Sequence, residues 1–345
     1  MSEEPAAPPP PPKRPRRRFL LGLLLALPTI LVVAALAAVL GARSFDAPGP
    51  LAEERIVEVP KGSGLRTIAR RLEREGVIEL HWLFSAAVQV TGKARALRAG
   101  EYRFPAAVSM RGAMEILASG KVVQYALTLP EGLTSREAVG LIEQAEALDG
   151  EVLTSPPEGS LLPETYHYVR HDTRQGLIDR MSVAQAAALE ALWAARADGL
   201  PIASPEQALI LASIVEKETG VAEERPLVAS VFVNRLRKGM RLQSDPTVVY
   251  GITLGQRPLG RALTRKDLKE PTAYNSYQID GLPPTPIANP GRASIAAVLN
   301  PAESDFLYFV ASGDGGHAFA KTLSEHNSNV AKWRKIQKER QAGGG

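Results

Sequence analysis

The chain has 345 residues, a formal net charge of +4 at pH 7 and no cysteine. Its length allows two or three domains, and the absence of cysteine excludes disulfide bonds and thiolate metal sites. The first 18 residues carry five basic and two acidic side chains, so everything after them has a net charge of only +1. The body of the chain therefore gives no electrostatic support for a nucleic-acid partner.

The N-terminal region combines a basic tail with a long uncharged segment. Residues 1–18 are rich in proline and then in arginine (PPPPPKRPRRR), which is typical of a disordered segment. Residues 19–41 contain no charged side chain, and a run of this length predicts a transmembrane helix. The basic residues before it favour an N-terminus inside the cell and a body outside the membrane.

A cleaved signal peptide is the alternative interpretation of residues 19–41. Its apolar region is usually only about 7–15 residues long, with small residues before the cleavage site. The run here is longer, and Leu40-Gly41-Ala42 is a poor cleavage site. We therefore expect an uncleaved single-pass anchor.

Residues 53–121, reached through a linker over 42–52, are predicted to form a small module. The spacing of apolar residues indicates a strand, two helices, a second strand and one more short helix, over 56–59, 65–72, 81–90, 102–104 and 109–117. The order strand, helix, helix, strand resembles a LysM domain, a module that binds glycans containing N-acetylglucosamine. Residues 122–160 are predicted to be a connecting α/β segment.

The largest predicted domain covers residues 161–340, with a long helix over 173–197 at its start. Helices are expected to supply most of this domain and short antiparallel strands the rest. The predicted fold class is therefore α+β: an N-terminal transmembrane helix, a LysM-like βααβ module and a mixed α/β domain.

The segment over 204–220 has a helix signature and ends in a charged motif. Ser204 is a predicted N-cap, Pro205 suits the first helical position and Gln207 completes a capping box. The helix is apolar nearly all round, so it should be buried, yet it ends in Glu216-Lys217-Glu218. A carboxyl group there faces the negative end of the helix dipole in low-dielectric surroundings, which raises its pKa and suits a general acid. The alternative is that both glutamates are solvated.

Two polar segments follow a second amphipathic helix over 223–238. Residues 241–247 are predicted to be a loop with an Asp-Pro turn, and 272–277 and 281–291 a second, proline-rich loop. Rigid loops with aromatic and amide side chains suit a sugar-binding groove. The substrate-binding candidates, some of which have equally good structural explanations, are Asn234, Gln243, Asp245, Tyr274, Asn275, Tyr277 and His326.

The C-terminal part is predicted to contain a helix over 293–299, a hairpin with strands over 306–310 and 317–319, and a basic helix over 322–337. His317 and His326 are candidates for acid–base groups or ligands. Neither has a partner at the spacing of metal ligands, and no HExxH motif is present. We therefore expect no metal site and no cofactor.

Four blocks of sequence carry a resemblance to a known family. In chain order they are SIVEKET, VASVFVNRLRKGMRLQSDPTVVYG, TAYNSYQIDGLPPTPIANPG and LYFVASGDGGHAFAKTLSEHN. They resemble the MltG/YceG-like endolytic murein transglycosylases. The resemblance implies an enzyme anchored in the cytoplasmic membrane that cuts peptidoglycan strands internally and forms 1,6-anhydromuramyl ends. It implies Glu218 as the catalytic residue and peptidoglycan polymerases as partners. Thr285 and the segment 161–166 depart from the family pattern, and neither includes the glutamate.

The implied chemistry needs only one carboxyl group. Glu218 would protonate the leaving oxygen and then accept the proton of the muramyl C6 hydroxyl, which closes onto C1 in place of water. One alternative is a hydrolytic muramidase with Asp245 as the second carboxylate. The other is a catalytically silent scaffold that binds glycan through the LysM-like module.

Overall fold

The computed structural model describes residues 16–343, with side chains described over 26–340, so most of the predicted basic tail lies outside it. The chain divides into two compact units at Val123 and Gln124. The described helices are α1 Arg16–Asp46, α2 Leu65–Arg74, α3 His81–Val90, α4 Met110–Ser119, α5 Ser135–Gln144, α6 Arg174–Ala194, α7 Pro205–Glu218, α8 Arg225–Arg237, α9 Asp245–Thr253, α10 Arg292–Leu299 and α11 Leu323–Gly343. The strands are β1 Arg55–Val59, β2 Gly100–Phe104, β3 Tyr125–Thr128, β4 Thr165–Tyr168, β5 Tyr308–Ala311 and β6 His317–Ala320.

The long N-terminal helix α1 contains the predicted transmembrane segment. Its part over Ala26–Asp46 is long and apolar enough to cross a membrane, and Pro28 lies within the helix. This helix fits a single-pass anchor. It continues to Asp46, through the first half of the predicted linker, because Phe45 packs into the core of the following module.

The N-terminal unit has the predicted order of strand, helix, helix and strand. Strands β1 and β2 pair in antiparallel register, with Val57 opposite Tyr102. Leu72, Phe84 and Phe104 are buried in the core between this pair of strands and the helices α2, α3 and α4. Alternate strand residues and one face of each helix supply these side chains, as the apolar spacing predicts.

In the C-terminal unit, β3 pairs with β4 in antiparallel register. The helix α5 between these strands packs on them together with α6, through Ile142, Tyr168 and Leu177. Strand β3 and helix α5 belong to the predicted connecting segment, and β4 lies beyond residue 160. The segment is thus built into the same unit as the larger domain.

The centre of the C-terminal unit is helical. Residues 210–215 of α7 are all buried, and they pack against α8 and α10 through Leu211, Phe232 and Val298. Ser204 Oγ accepts a bond from the N–H of Gln207, as predicted for an N-cap. The Gln207 side chain bonds the N–H of Ala203 instead of closing the box on Ser204.

The prediction of a loop over the whole of 241–247 was wrong at its end. Helix α9 begins at Asp245, with Ser244 at the N-cap position and Pro246 in the first turn. Ser-Asp-Pro is a turn signal, but a cap residue followed by an acidic residue and proline is also a helix start. The polar residues of this segment therefore lie at a helix N-terminus.

Candidate active site

The carboxyl group of Glu218 lies at the C-terminal end of the buried helix α7. Its Oε1 accepts a hydrogen bond of 2.5 Å from the Ser244 hydroxyl, at the start of α9. Ser244 occupies the N-cap position but makes no side-chain cap bond, because its hydroxyl is directed to the glutamate. The two helix ends therefore meet at one carboxyl group.

The surroundings of Glu218 shift its acidity towards neutral pH. Burial is the largest influence and raises its pKa to about 7. The bond from Ser244 and the charges of His317 and Arg235 lower the pKa, whereas the charge of Asp245 raises it. The residue is not fully enclosed, and part of its surface remains accessible. A carboxyl group in this state can both donate and accept a proton near neutral pH.

A second carboxylate and a phenol lie beside Glu218. The Tyr277 hydroxyl donates to Asp245 Oδ1 at 2.8 Å. Burial, together with this bond, raises the pKa of Tyr277 above its ordinary value, so the phenol stays protonated. Asp245 is exposed and Tyr277 is partly exposed, so both can be reached from solvent.

The two predicted loops are joined by a buried hydroxyl network. Ser276 Oγ accepts a bond of 2.9 Å from the Ser244 N–H and lies 2.7 Å from Thr247 Oγ1. The exposed Gln243 has a left-handed φ of 50°, and its backbone N–H donates to the Ser276 carbonyl at 3.1 Å. The structure thus brings together Gln243, Asp245 and Tyr277, as the loop argument predicts.

Arg235 is a buried cation that the predicted site did not include. Its Nε donates to the Leu307 carbonyl at 2.6 Å, and its Nη1 donates to the Leu242 carbonyl at 2.7 Å. Its guanidinium lies over the Tyr308 ring, 5.2 Å from the centroid. Arginine thereby connects α8 to the segment before Ser244. The sequence signal was an arginine beside the apolar stripe of α8, which gives no information about its partners.

Tyr274 lies in a different group of side chains. Its hydroxyl is 2.8 Å from Thr285 Oγ1, and its ring packs edge-on against Tyr250 with centroids 4.9 Å apart. The Tyr250 hydroxyl donates to Glu158 Oε2 at 3.1 Å. Burial raises the pKa of Glu158. Glu158 is a second partly buried carboxyl group that the sequence argument missed, and it accepts bonds from the Ser135 N–H and the Tyr250 hydroxyl.

Three other predicted substrate-binding residues have partners inside the protein. Asn234 donates to the carbonyls of Ser304 and Phe306 at 2.7 and 3.1 Å. Asn275 is fully buried, and its amide donates to three carbonyls of the segment 267–270. His326 stacks on the Tyr308 ring at 5.2 Å, and burial lowers its pKa. In each case these contacts hold a loop or helix next to the site.

A histidine and a glutamate flank the site. His317 donates its backbone N–H to Glu224 Oε1 at 2.8 Å, and its Nδ1 lies 2.6 Å from Glu224 Oε2. Its charge acts on Glu218. His317 was a candidate from sequence, but its carboxylate partner, 93 residues away, could not be identified there.

Glu216, on the same helix end, has a different environment. Its side chain is 5% exposed and lies 3.7 Å from the Arg225 guanidinium, and it accepts the Gly291 N–H at 2.8 Å. Glu216 is therefore engaged in an ion pair, whereas Glu218 receives a hydroxyl donor.

The cavity of greatest volume among those described lies away from Glu218. A cavity of about 700 Å³ is lined by residues that include Asn234, Ser304 and Lys321, but not Glu218. Within residues 26–340, no three His, Asp or Glu side chains are grouped to hold a metal ion. The groups near Glu218 that remain accessible to solvent include those of Asp245 and Tyr277.

Comparisons with known proteins cover most of the chain. A model of the YceG-like family matches residues 57–332, which include Glu218, Ser244 and Arg235. An endolytic murein transglycosylase of Bacillus subtilis is 30% identical over an alignment of 315 residues, and the match covers 82% of this chain and 86% of that protein. One of Streptococcus pneumoniae is 29% identical over 80% of this chain and 58% of that longer protein.

A solved structure of a YceG-like protein is also similar to this chain. The crystal structure of a YceG-like protein from Listeria monocytogenes is similar with a TM-score of 0.50 at 32% sequence identity. The match covers 80% of this chain and 98% of that one.

Proposed function

Because the chain belongs to the YceG-like family, we propose that it is an endolytic murein transglycosylase, as its relatives from B. subtilis and S. pneumoniae are named. It cleaves the β-1,4 bond between N-acetylmuramic acid and N-acetylglucosamine inside a peptidoglycan strand. The observation that carries the chemistry is the partly accessible Glu218 carboxyl, whose pKa burial raises to about 7.

The first step breaks the glycosidic bond. Protonated Glu218 donates its proton to the glycosidic oxygen as the bond from that oxygen to muramyl C1 breaks, since this oxygen leaves poorly as an anion. A carboxyl group with a pKa near 7 is still protonated in a large fraction of molecules at neutral pH.

The second step closes the anhydro ring. The muramyl C6 oxygen bonds to C1, and its proton passes to the Glu218 carboxylate, which restores the acid. No water is consumed, and the intramolecular nucleophile gains from its proximity to C1. The Ser244 bond and the Arg235 charge stabilise the ionised form that exists between the two steps.

The accessible groups around Glu218 define the substrate contacts that we propose. Gln243, Asp245 and Tyr277 bind and orient the sugars nearest the cleaved bond, and Tyr274 offers an aromatic edge to a neighbouring sugar. Asn234, Asn275 and His326 support these segments through their internal contacts.

We infer that the enzyme lies at the outer face of the cytoplasmic membrane. Helix α1 is the single-pass anchor, and the basic residues before it keep the N-terminus inside. The N-terminal unit is a LysM-like glycan-binding module, which its βααβ order and the antiparallel pairing of its two strands support. Peptidoglycan polymerases are the expected partners, as the family resemblance implies.

The decisive experiment compares the wild-type chain with Glu218→Gln on isolated glycan strands, with mass spectrometry of the products. We expect anhydro ends, one water lighter than reducing ends, from the wild type and no turnover from the variant. Reducing ends would instead indicate a hydrolase that uses Asp245 as its second carboxylate. A variant that keeps the cellular phenotype of the wild type would indicate a scaffold.

A further inference from the structure

The end of the membrane-spanning helix is built into the N-terminal unit. Phe45 is 4% exposed within the core of that unit. Arg111 of α4 lies over the Phe45 ring, 5.3 Å from its centroid, and donates to Asp46, with Nη2 and Oδ2 3.3 Å apart. Because Phe45 is packed in the core and Asp46 is paired with Arg111, the end of α1 is fixed to the unit. The distance between the unit and the apolar segment is therefore fixed as well.

The start of α3 lies at the level where the apolar segment ends. Leu83 of α3 lies beside Gly41 of α1: its Cδ1 is 3.5 Å from the position that a Cβ would occupy on the glycine. Arg43 is the first charged residue after the uncharged run. A helix rises about 1.5 Å per residue, so an uncharged run of this length matches the roughly 30 Å thickness of the hydrocarbon core. Leu83 is then close to the membrane–water interface.

The outer face of α3 is apolar and exposed. Trp82 is 60% exposed and Val90 is 89% exposed, and the exposed Ala86 lies between them. These residues are spaced four apart, so they form one stripe along the helix. The neighbouring Phe84 and Val88 are buried in the core. A tryptophan and a valine left this exposed on one stripe, with an alanine between them, form an apolar patch of the kind that a lipid surface or a partner covers.

We propose that the stripe of Trp82, Ala86 and Val90 rests in the interfacial layer of the bilayer that α1 spans. Tryptophan is favoured at this depth because its ring is apolar and its N–H can bond water or lipid headgroups. The lipid surface covers the stripe, and the N-terminal unit lies against the membrane instead of standing away from it. This inference depends on α1 being the anchor and is independent of the chemistry at Glu218.

The test uses the fluorescence of Trp82 in the full-length chain reconstituted in phosphatidylcholine vesicles. Trp193→Phe and Trp333→Phe together leave Trp82 as the only tryptophan. The matched control keeps Trp193 and replaces Trp82 and Trp333 with phenylalanine. Some vesicles contain lipid brominated near the headgroup, and others contain lipid brominated near the chain ends.

We expect Trp82 to lose most of its emission to the shallow bromines and less to the deep ones, while Trp193 keeps its emission. Equal quenching of Trp82 and Trp193 would overturn the proposal. So would emission of Trp82 that is insensitive to brominated lipid but changes when chitooligosaccharide is added, because the stripe would then be a glycan site. Loss of murein cleavage would leave the quenching result unchanged, so the two proposals fail separately.

Discussion

The hydroxyl of Ser244 donates a hydrogen bond of 2.5 Å to Glu218 Oε1. Ser244 is the residue just before α9, and Glu218 is the last residue of α7. Burial makes the protonated carboxyl more favourable, and this bond makes the ionised form more favourable. The balance of these two effects leaves the pKa of Glu218 at about 7. The pH dependence of the enzyme should therefore respond to Ser244.

Ser244→Ala should move the high-pH side of the activity profile upwards. Glu218 must be protonated to act as the acid, so activity falls as the pH rises through its pKa. Removing a hydrogen bond to a charged group costs about 1.5 kcal/mol or more, which corresponds to an increase of roughly one unit in the pKa of Glu218. The measurement is kcat on isolated glycan strands as a function of pH.

Ser244→Thr is the matched control, since it keeps a hydroxyl on Cβ. Its pH profile should stay close to that of the wild type. An alanine variant with an unchanged high-pH limb would mean that Ser244 does not influence the catalytic carboxyl.

Asp245→Asn should have the opposite effect on Glu218. The charge of Asp245 raises the pKa of Glu218, so its removal lowers that pKa and moves the high-pH limb downwards. Cleavage should persist and should still yield anhydro ends. Complete loss of cleavage, together with reducing ends in the wild-type products, would identify Asp245 as a second catalytic carboxylate. Tyr277→Phe, which leaves the charge of Asp245 in place, is the control for the lost hydrogen bond.

Glu218→Gln should stabilise the folded protein at alkaline pH. The folded-state pKa of about 7 lies above the ordinary value of 4.5, so this group favours folding fully below about pH 4.5. That contribution is lost as the pH rises to about 7. The free energy of unfolding of Glu218→Gln, relative to that of the wild type, should therefore rise by about 2 kcal/mol between pH 5 and pH 8. This figure includes a reduction for the partial exposure of the side chain.

Urea unfolding of the full-length chain at both pH values measures this gain. Glu216→Gln is the comparison, because Glu216 faces the Arg225 guanidinium and the Gly291 N–H. It should lower the free energy of unfolding without abolishing cleavage. If Glu218→Gln is equally destabilising at both pH values, Glu218 is a structural residue and the catalytic assignment is wrong.

Arg235→Lys should reduce stability while leaving the pH profile nearly unchanged. Lysine keeps the positive charge near Glu218 but cannot reproduce the bonds to the Leu242 and Leu307 carbonyls. We expect a loss of about 2 kcal/mol in the free energy of unfolding, because buried carbonyls lose a charged donor. Arg237→Lys, at an exposed position two residues further on, should cost about 0.5 kcal/mol or less. Equal effects of the two substitutions would show that Arg235 has no special role in holding the segment before Ser244.

Local chemistry explains why much of the fold could be predicted from the sequence. Apolar spacing places α2, α3, α6, α7 and α8 within a few residues of their observed bounds, because each buries its apolar residues in a core. The start of α9 was missed, because Ser244-Asp245-Pro246 satisfies both a turn and a helix N-terminus. Only packing on α7 and the loop around Ser276 decides between these two outcomes.

The amino-acid sequence alone shows which side chains are available to the site: a glutamate at the end of an apolar helix, followed by polar loops. Which of these side chains come into contact depends on how the helices and loops pack. Ser244 reaches Glu218 across 26 residues, Arg235 reaches Leu307 across 72 and His317 reaches Glu224 across 93. Asn275 carries the same amide as a sugar-binding residue, yet it is fully buried on backbone carbonyls. Burial and hydrogen-bond partners arise from contacts distant along the chain, so local spacing cannot reveal them.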